Sequence, residues 1–276
     1  MSSPSASLAV WVSSWLAGVS APDDVIDAMF EWAPMHLIGA ADEQTAQATG
    51  LGWPSPRADG IAGLLTTVRT HLARGASADT DPAIELLLPG PGSVENLPPK
   101  SDFSWAAIAA GEAVAVGHVG SRGLGLVPVV EGPDVLRWTV YPVDIPDHYI
   151  RDFSLGEAEY AMRDAVRSAA EALGSMQALP TRKELGDPRT RIMSAIADAA
   201  RHRYPAETSE RVLRVLESAD RVAAILAVAR HSSPTEAPTA SAAAAREDLV
   251  RPLWSSVRSA RLSAVASSIE ESVPRR

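Results

Sequence analysis

The sequence predicts a predominantly helical α+β protein with a small antiparallel β-meander of three or four strands, at about residues 84–142. Two observations support this fold class. Over most of the chain, apolar residues recur at helical spacing between capping residues and prolines. Residues 111–146 differ, because three β-branched apolar runs there are separated by Gly, Ser, Pro and Asp. We expect flanking helices to pack on both faces of this meander.

The N-terminal third is predicted to be helical. Its first helix has an apolar stripe at i, i+3, i+4, i+7 and i+8, formed by Leu8, Trp11, Val12, Trp15 and Leu16. Pro34 should break or kink the second helix, after which residues 35–47 can continue as helix. Ser55 and Pro56 suit the start of another helix, which fades at Gly75.

The predicted strands follow an irregular stretch in the middle of the chain. Residues 84–88 are a candidate fourth strand, and residues 105–110 form a helical turn that leads into the meander. Beyond the meander, Ser154 and Glu157 make a capping box for a helix that runs to about Met176. Further helices are predicted from residue 188, over 205–230 and over 242–271.

Two regions are predicted from these elements and from the distribution of charge. Residues 1–180 form an α+β core domain, and residues 181–276 form a C-terminal helical bundle with a polar, proline-containing linker near 232–240. The net charge of −9 is uneven, since residues 1–180 carry −13 and the remainder +4. This asymmetry predicts complementary faces that dock within the chain or across a dimer. The alternative is an anionic partner for the C-terminal half.

Composition excludes several kinds of chemistry. The chain has no cysteine, which excludes disulfides, thiolate zinc sites and cysteine nucleophiles, and which suits the cytoplasm. No stretch approaches the roughly 20 apolar residues of a membrane-spanning helix, so no membrane association is predicted. The overall acidic charge argues against nucleic acid as a partner. No hydrolase, kinase or metalloprotease motif is present, and we predict no catalytic residue, metal or cofactor.

Two turns of the meander are candidate ligand sites. The first is glycine-dense, and its backbone N–H groups with an arginine could bind an anion; its candidate residues are His118, Gly120, Ser121 and Arg122. The second contains Asp144, Asp147 and His148, which suit general acid–base work or metal ligation. Each has a structural alternative, a flexible hairpin for the first turn and an exposed loop of turn-forming residues for the second.

The preferred functional hypothesis is a cytoplasmic, non-enzymatic protein that binds a protein partner or a second copy of itself. It depends on the lack of catalytic motifs and on the apolar face of the first helix, with Trp11 and Trp15 as the interaction surface. The alternative is a small-molecule or anion-binding protein, or an enzyme, with its site at the meander loops. A second alternative is a transcriptional regulator with a C-terminal helix-turn-helix that uses Arg201, Arg203, Arg211 and Arg214.

Overall fold

The structure is a computed structural model that describes residues 3–75, 82–94, 96–150, 153–175, 188–231 and 240–272. Within these residues the chain forms nine helices and five strands. The helices are α1 (Pro4–Leu16), α2 (Pro22–Phe30), α3 (Glu43–Thr49), α4 (Gly60–Gly75), α5 (Asp102–Ala110), α6 (Leu155–Ser175), α7 (Pro188–Arg201), α8 (Glu210–His231) and α9 (Ala240–Ser272). The strands are β1 (Met35–Ala40), β2 (Pro82–Leu87), β3 (Ala113–His118), β4 (Arg122–Val130) and β5 (Val135–Asp144).

The chain separates into two compact units. The first contains the described parts of Ser3–Ile150, the short segment His202–Thr208 and the described residues from Ser268 to Ser272. The second contains the described parts of Arg151–Arg201 and Ser209–Ser267. The domain limit predicted near residue 180 lies outside the described residues, and so does almost all of the linker predicted at 232–240.

The prediction of a small antiparallel meander was wrong. The first unit contains a five-stranded mixed sheet in the order β1-β5-β4-β3-β2, in which β1 runs parallel to β5 and the other neighbours are antiparallel. The consecutive strands β3, β4 and β5 form the centre of this sheet. Strands β2 and β1 extend it on either side, and β1 comes from much earlier in the chain.

The helix expected over residues 35–47 was wrong for residues 35–40, whereas residues 43–47 are helical as part of α3. Residues 35–40 form β1, because their backbone pairs with Val135–Val140 of β5. The outer edge of β1 is covered by a loop, in which Arg57 exchanges two backbone hydrogen bonds of 2.9 Å with Ile38. This pairing also explains why α4 starts at Gly60 and not at Pro56, since the backbone of Arg57 is already engaged with the sheet.

Helix α1 is buried around most of its circumference, in contrast to the one-sided stripe predicted. Trp15 is only 6% exposed, and the guanidinium of Arg69 lies 4.5 Å from the centre of its ring. Ser3 caps the helix, and the carboxylate of Glu112 accepts hydrogen bonds from Ser3 and from the backbone N–H of Ser5. A carboxylate at the N-terminal end of a helix interacts favourably with the helix dipole.

The described residues of the second unit are helical, apart from Phe153, Ser154 and Ser209 next to the starts of α6 and α8. The capping box predicted at the start of α6 is present, since the backbone N–H of Ser154 donates to the carboxylate of Glu157 at 2.9 Å and the backbone N–H of Glu157 donates to the Ser154 hydroxyl. Helices α8 and α9 bury small and branched residues, which are Val212, Leu216, Ala219, Ala223, Val257, Ala260 and Ala264. Arg261 of α9 also pairs with Asp220 of α8 at 2.6 Å. No described helix combines the length and apolar character that crossing a bilayer requires.

Candidate anion-binding site

A cavity of about 280 Å³ opens in the first unit between α3, the C-terminal end of α4 and the start of β4. Its lining is formed by Gln44, Thr45, Ala48, Thr49, His71, Arg74, Arg122, Gly123, Leu124 and Pro142. The set combines three basic side chains, polar groups of α3 and an apolar patch from the sheet. Among the described residues, no aspartate or glutamate lines it.

Local sequence fixes α3 at the rim of this cavity. The Asp42 carboxylate accepts a hydrogen bond of 2.6 Å from the backbone N–H of Thr45, which caps the N-terminal end. Gly50 ends the helix with φ of +79°, a left-handed conformation that glycine adopts without steric cost. The short helix therefore has a defined start and stop, and it presents its polar residues at fixed positions.

His71 and Arg74 lie three residues apart on α4, so they share one face of that helix. His71 donates through Nε2 to the backbone oxygen of Arg122 at 3.0 Å, which ties α4 to β4. Arg74 donates through Nη1 to the backbone oxygen of Ala48 at 2.9 Å. That oxygen lies in the last turn of α3, where carbonyl groups lack partners within the helix and a cation is favourable.

His71 is a weaker base than an ordinary histidine. Burial is the largest cause that lowers its pKa below the usual 6.5, and the hydrogen bond to the backbone of Arg122 opposes this. The nearby charges of His118 and Arg74 lower the pKa further. At neutral pH, the positive charge of the cavity therefore comes from Arg74 and Arg122.

The two arginines at the cavity are not neutralised by carboxylates. Among the described residues, no ion pair engages Arg74 or Arg122. Asp144 is the cross-strand register partner of Arg122, but it does not line the cavity. The exposed guanidinium of Arg122 is thus available to an anion.

The structure places the residues predicted at the glycine-dense turn in different environments. Arg122 lines the cavity. His118 is 5% exposed and donates through Nε2 to the backbone oxygen of Leu72 at 2.9 Å, and its Nδ1 is buried without a hydrogen-bond partner among the described residues. Ser121 donates its hydroxyl to the backbone oxygen of His118 at 2.7 Å, which closes the turn.

The structure brings the glycine-dense turn and the acidic turn together. The backbone of Gly120 donates to Ile145 at 3.1 Å, and Ile145 donates to Ser121 at 2.8 Å. A side chain built at Gly120 would meet the carboxylate of Asp147 at 3.0 Å. Asp144, Asp147 and His148 are all exposed. Among the described residues, no group of three or more His, Asp or Glu side chains is arranged to hold a metal ion.

The glycines around this turn serve packing more than ligand approach. A Cβ at Gly117 or at Gly123 would lie 2.7 Å from the side chain of Ile145, so the two glycines make room for that residue. A Cβ at Gly125 would lie 2.4 Å from the ring of Phe103. Of the glycines in the turn itself, Gly120 adopts a positive φ, of +70°.

The proposed interaction surface on α1 is already engaged within the first unit. Trp15 is buried, as described above. Trp11 is half-buried, and its indole N–H donates to the backbone oxygen of Arg203 at 2.9 Å. Trp32 of the same unit stacks on His202, with the ring centres 3.6 Å apart. The segment His202–Thr208 therefore covers part of the face for which an external partner was expected.

The arginines considered for DNA contact are largely paired with carboxylates. Three pairs involve them, Arg201 with Asp198 at 3.6 Å, Arg211 with Glu159 at 3.8 Å and Arg214 with Glu210 at 3.5 Å. The connection between α7 and α8 spans residues 202–209. It is longer than the three- to four-residue turn of a helix-turn-helix.

Sequence reasoning missed two of the three basic residues of the cavity, His71 and Arg74. Neither is among the candidate residues of the glycine-dense turn or the acidic turn. The only local signal was a histidine and an arginine three positions apart at a helix end. The partner oxygen of His71 lies 51 positions further along the chain, which the sequence pattern does not reveal.

Comparisons with known proteins divide the chain much as the structure does. A model described as "Rv1486c-like protein, N-terminal domain" matches residues 5–150, and one described as "Rv1486c-like protein, C-terminal domain" matches residues 156–262. The uncharacterised protein Rv1486c of Mycobacterium tuberculosis is 39% identical, over 98% of this chain and 99% of the relative. The uncharacterised protein ML1804 of Mycobacterium leprae is 37% identical with the same coverage. No solved structure is significantly similar to the chain.

Proposed function

We propose a ligand-binding function for this chain, which belongs to the Rv1486c-like protein family and has the two domains of that family. The N-terminal domain would bind a small organic anion in the cavity between α3, α4 and β4. We propose binding and not catalysis, because the sequence contains no hydrolase, kinase or metalloprotease motif. We keep the cytoplasm as the proposed location, because the cysteine-free composition suits a reducing compartment.

The main support for this proposal is the arrangement of the basic residues. Residues 1–150 contain only six Lys and Arg residues against 17 Asp and Glu. Two of those six, Arg74 and Arg122, lie at one small cavity that no carboxylate of the described part of the chain lines. In an acidic domain, two arginines that form no ion pair with any described residue favour an anionic ligand at one concave site, because charge-assisted hydrogen bonds are stronger than neutral ones.

The lining also limits the kind of anion. Ala48, Leu124 and Pro142 offer apolar contact, and Gln44 and Thr49 offer polar side chains. A volume of about 280 Å³ is at the lower end for a ligand pocket. The best match is a carboxylate, or a comparable anion, with a small apolar body that packs on the sheet. A bare phosphate would leave the apolar patch uncovered.

The test is a titration of the full chain with benzoate, benzenesulfonate and inorganic phosphate, followed by calorimetry. We expect the two aromatic anions to bind more tightly than phosphate. Arg122→Gln and Arg74→Gln should each weaken binding by roughly ten- to a hundredfold, as expected when one charge-assisted hydrogen bond is lost. Arg57→Gln is the matched control, since Arg57 is an exposed arginine of the same domain outside this cavity. Equal loss in all three variants, or no binding by the unmodified chain, would contradict the proposal.

A protein-binding role is the second candidate, and an exposed face of α5 favours it. Trp105 is 65% exposed and Ile108 is 45% exposed, and their spacing places them on one side of the helix. Large apolar side chains grouped on a surface are typical of interaction sites. This face, and not the Trp11 and Trp15 positions, is where we would place contact with a second copy of the chain.

Light scattering after size exclusion tests that second candidate. The unmodified chain should elute as a dimer, and the double change Trp105→Glu with Ile108→Glu should convert it to a monomer without loss of helical signal. A monomeric unmodified chain at high concentration would remove self-association as a function of this face.

A further inference from the structure

A second concave surface lies on the opposite side of α3 from the anion-binding cavity. Its volume is about 700 Å³, and it is more open. It is lined by Glu43, Ala46, Gln47, Gly50, Leu51, Gly52, Trp53, Ser55 and Arg57. The side chain of Trp53 is 47% exposed there, although tryptophan is usually well covered in a folded domain.

The loop that carries Trp53 is held firmly against the sheet. Three backbone hydrogen bonds connect it to β1, two between Arg57 and Ile38 and one from Ala40 to the oxygen of Gly52 at 3.0 Å. Gly52 also packs so tightly that an added Cβ would lie 2.4 Å from the backbone oxygen of Ser55. The indole is therefore presented on a fixed backbone, which lowers the entropy cost of placing a ligand on it.

The polar groups beside the indole are free to bind. Among the described residues, Glu43, Gln47 and Arg57 make no side-chain hydrogen bond or ion pair. Together they offer a carboxylate that accepts, an amide that donates and accepts, and a guanidinium that donates. Their formal charges cancel, so the site selects neither an anion nor a cation.

An aromatic face beside mixed donors and acceptors fits one chemical class. A pyranose sugar has a face of C–H groups that can cover an indole, and it has hydroxyl groups around its edge that both donate and accept. A purely apolar partner would leave three polar side chains without partners, which is costly. A phosphate or carboxylate would face Glu43.

We propose that this surface is a binding site for a neutral saccharide, with Trp53 as the stacking platform and Glu43, Gln47 and Arg57 as hydroxyl ligands. The site is separate from the anion-binding cavity, and neither proposal requires the other. The chain would then hold two different small molecules on the two sides of one short helix.

Nuclear magnetic resonance of the tryptophan indole N–H groups tests this inference on the full chain. The Trp53 signal is assigned as the one missing from the Trp53→Phe variant. Methyl glucoside, methyl mannoside, methyl galactoside and cellobiose are then titrated separately. We expect at least one of them to shift the Trp53 signal saturably, with a dissociation constant on the order of 1 mM. The signal of Trp105, an exposed tryptophan outside the concave surface, should stay in place.

Variants separate this site from the anion-binding cavity. Trp53→Ala, followed through the signals of the saccharide because the Trp53 signal is then absent, should abolish binding. Arg57→Gln should weaken binding at least about tenfold, the loss of one charge-assisted hydrogen bond. Arg122→Gln and Trp105→Phe should leave it unchanged. The inference is overturned if none of the four saccharides moves the Trp53 signal. It is also overturned if Trp53 and Trp105 shift alike, because that pattern indicates non-specific contact with exposed aromatic rings.

Discussion

Trp138 donates its indole N–H to Nδ1 of His36 across 3.3 Å, in the interior of the sheet where β1 runs parallel to β5. His36 in turn donates through Nε2 to the backbone oxygen of Met29 at 2.9 Å. The tautomer that satisfies both contacts is the neutral one with its proton on Nε2. Both side chains are almost fully buried, so the pair joins α2, β1 and β5 through an uncharged imidazole.

The first prediction is that His36 makes the first unit less stable in acid. Burial is the main cause that lowers the pKa of His36, against hydrogen bonds to the backbone of Met29 and Ala33 that raise it. The unfolded chain therefore binds a proton more readily than the folded chain. The stabilising effect is complete above the usual pKa of about 6.5 and is lost as the pH falls from there toward the lower folded-state pKa. Urea unfolding at a series of pH values measures this loss.

His36→Gln is the informative variant for that measurement. It keeps a donor for Met29, removes the titration, and should flatten the acid limb of the stability curve at a cost of about 1–3 kcal/mol at neutral pH. His148→Gln, at an exposed histidine, should leave the limb as it is. A limb that is equally steep in His36→Gln would assign the acid sensitivity to another group.

The second prediction concerns the contact between Gly125 and Phe103. A methyl group at position 125 would lie 2.4 Å from the Phe103 ring, which is itself only 1% exposed. We expect Gly125→Ala to lower the free energy of unfolding by about 1–3 kcal/mol, the usual cost of overpacking a core. The double variant with Phe103→Leu should lose less than the sum of the two single changes, because the smaller side chain makes room. Additive losses in urea denaturation would rule out this steric explanation.

Local sequence patterns predicted strands β3, β4 and β5 but could not predict strand β1. The β-branched runs of β3, β4 and β5 are adjacent in the chain and pair in sequence, so residues 111–146 predicted three strands. Strand β1 pairs with β5 from far along the chain, and its sequence, Met35 to Ala40, has no regular alternation. The register that makes it a strand depends on tertiary structure, and so does the parallel pairing.

The candidate site, too, could be predicted only in part from the sequence. Arg122 was predicted because it lies in a distinctive glycine-dense turn, but most of those glycines make room for Ile145 and Phe103. His71 and Arg74 had no such signal. They become part of a site only because α4 crosses the start of β4 and the end of α3.

The third prediction tests the ion pair between Arg261 and Asp220 in the second unit. Their side chains are only 11% and 16% exposed, and the charged atoms are 2.6 Å apart. Removing one partner leaves a poorly solvated charge, so Arg261→Gln should lower the free energy of unfolding by about 3 kcal/mol. Arg251 and Asp248, at 3.0 Å with 58% and 68% exposure, are the matched control pair. Arg251→Gln should cost less than about 1 kcal/mol, and similar losses in both variants would contradict the role of burial.

The last prediction links anion binding to pH through His71. In the free protein, burial and the charges of His118 and Arg74 hold the pKa of His71 below its usual value. A bound anion would favour the protonated imidazole and raise that pKa, so binding takes up a proton. Affinity should therefore increase as the pH falls from the raised pKa of His71 in the complex toward its lower pKa in the free protein. Benzenesulfonate is the suitable probe, because it stays ionised over this range and any pH dependence arises from the protein.

The increase in affinity at lower pH should disappear in His71→Gln, which keeps a donor for the backbone of Arg122, and should persist in His148→Gln. If the affinity of the unmodified chain is independent of pH, the bound anion does not change the pKa of His71. Arg74 and Arg122 would then be the basic residues that bind the anion.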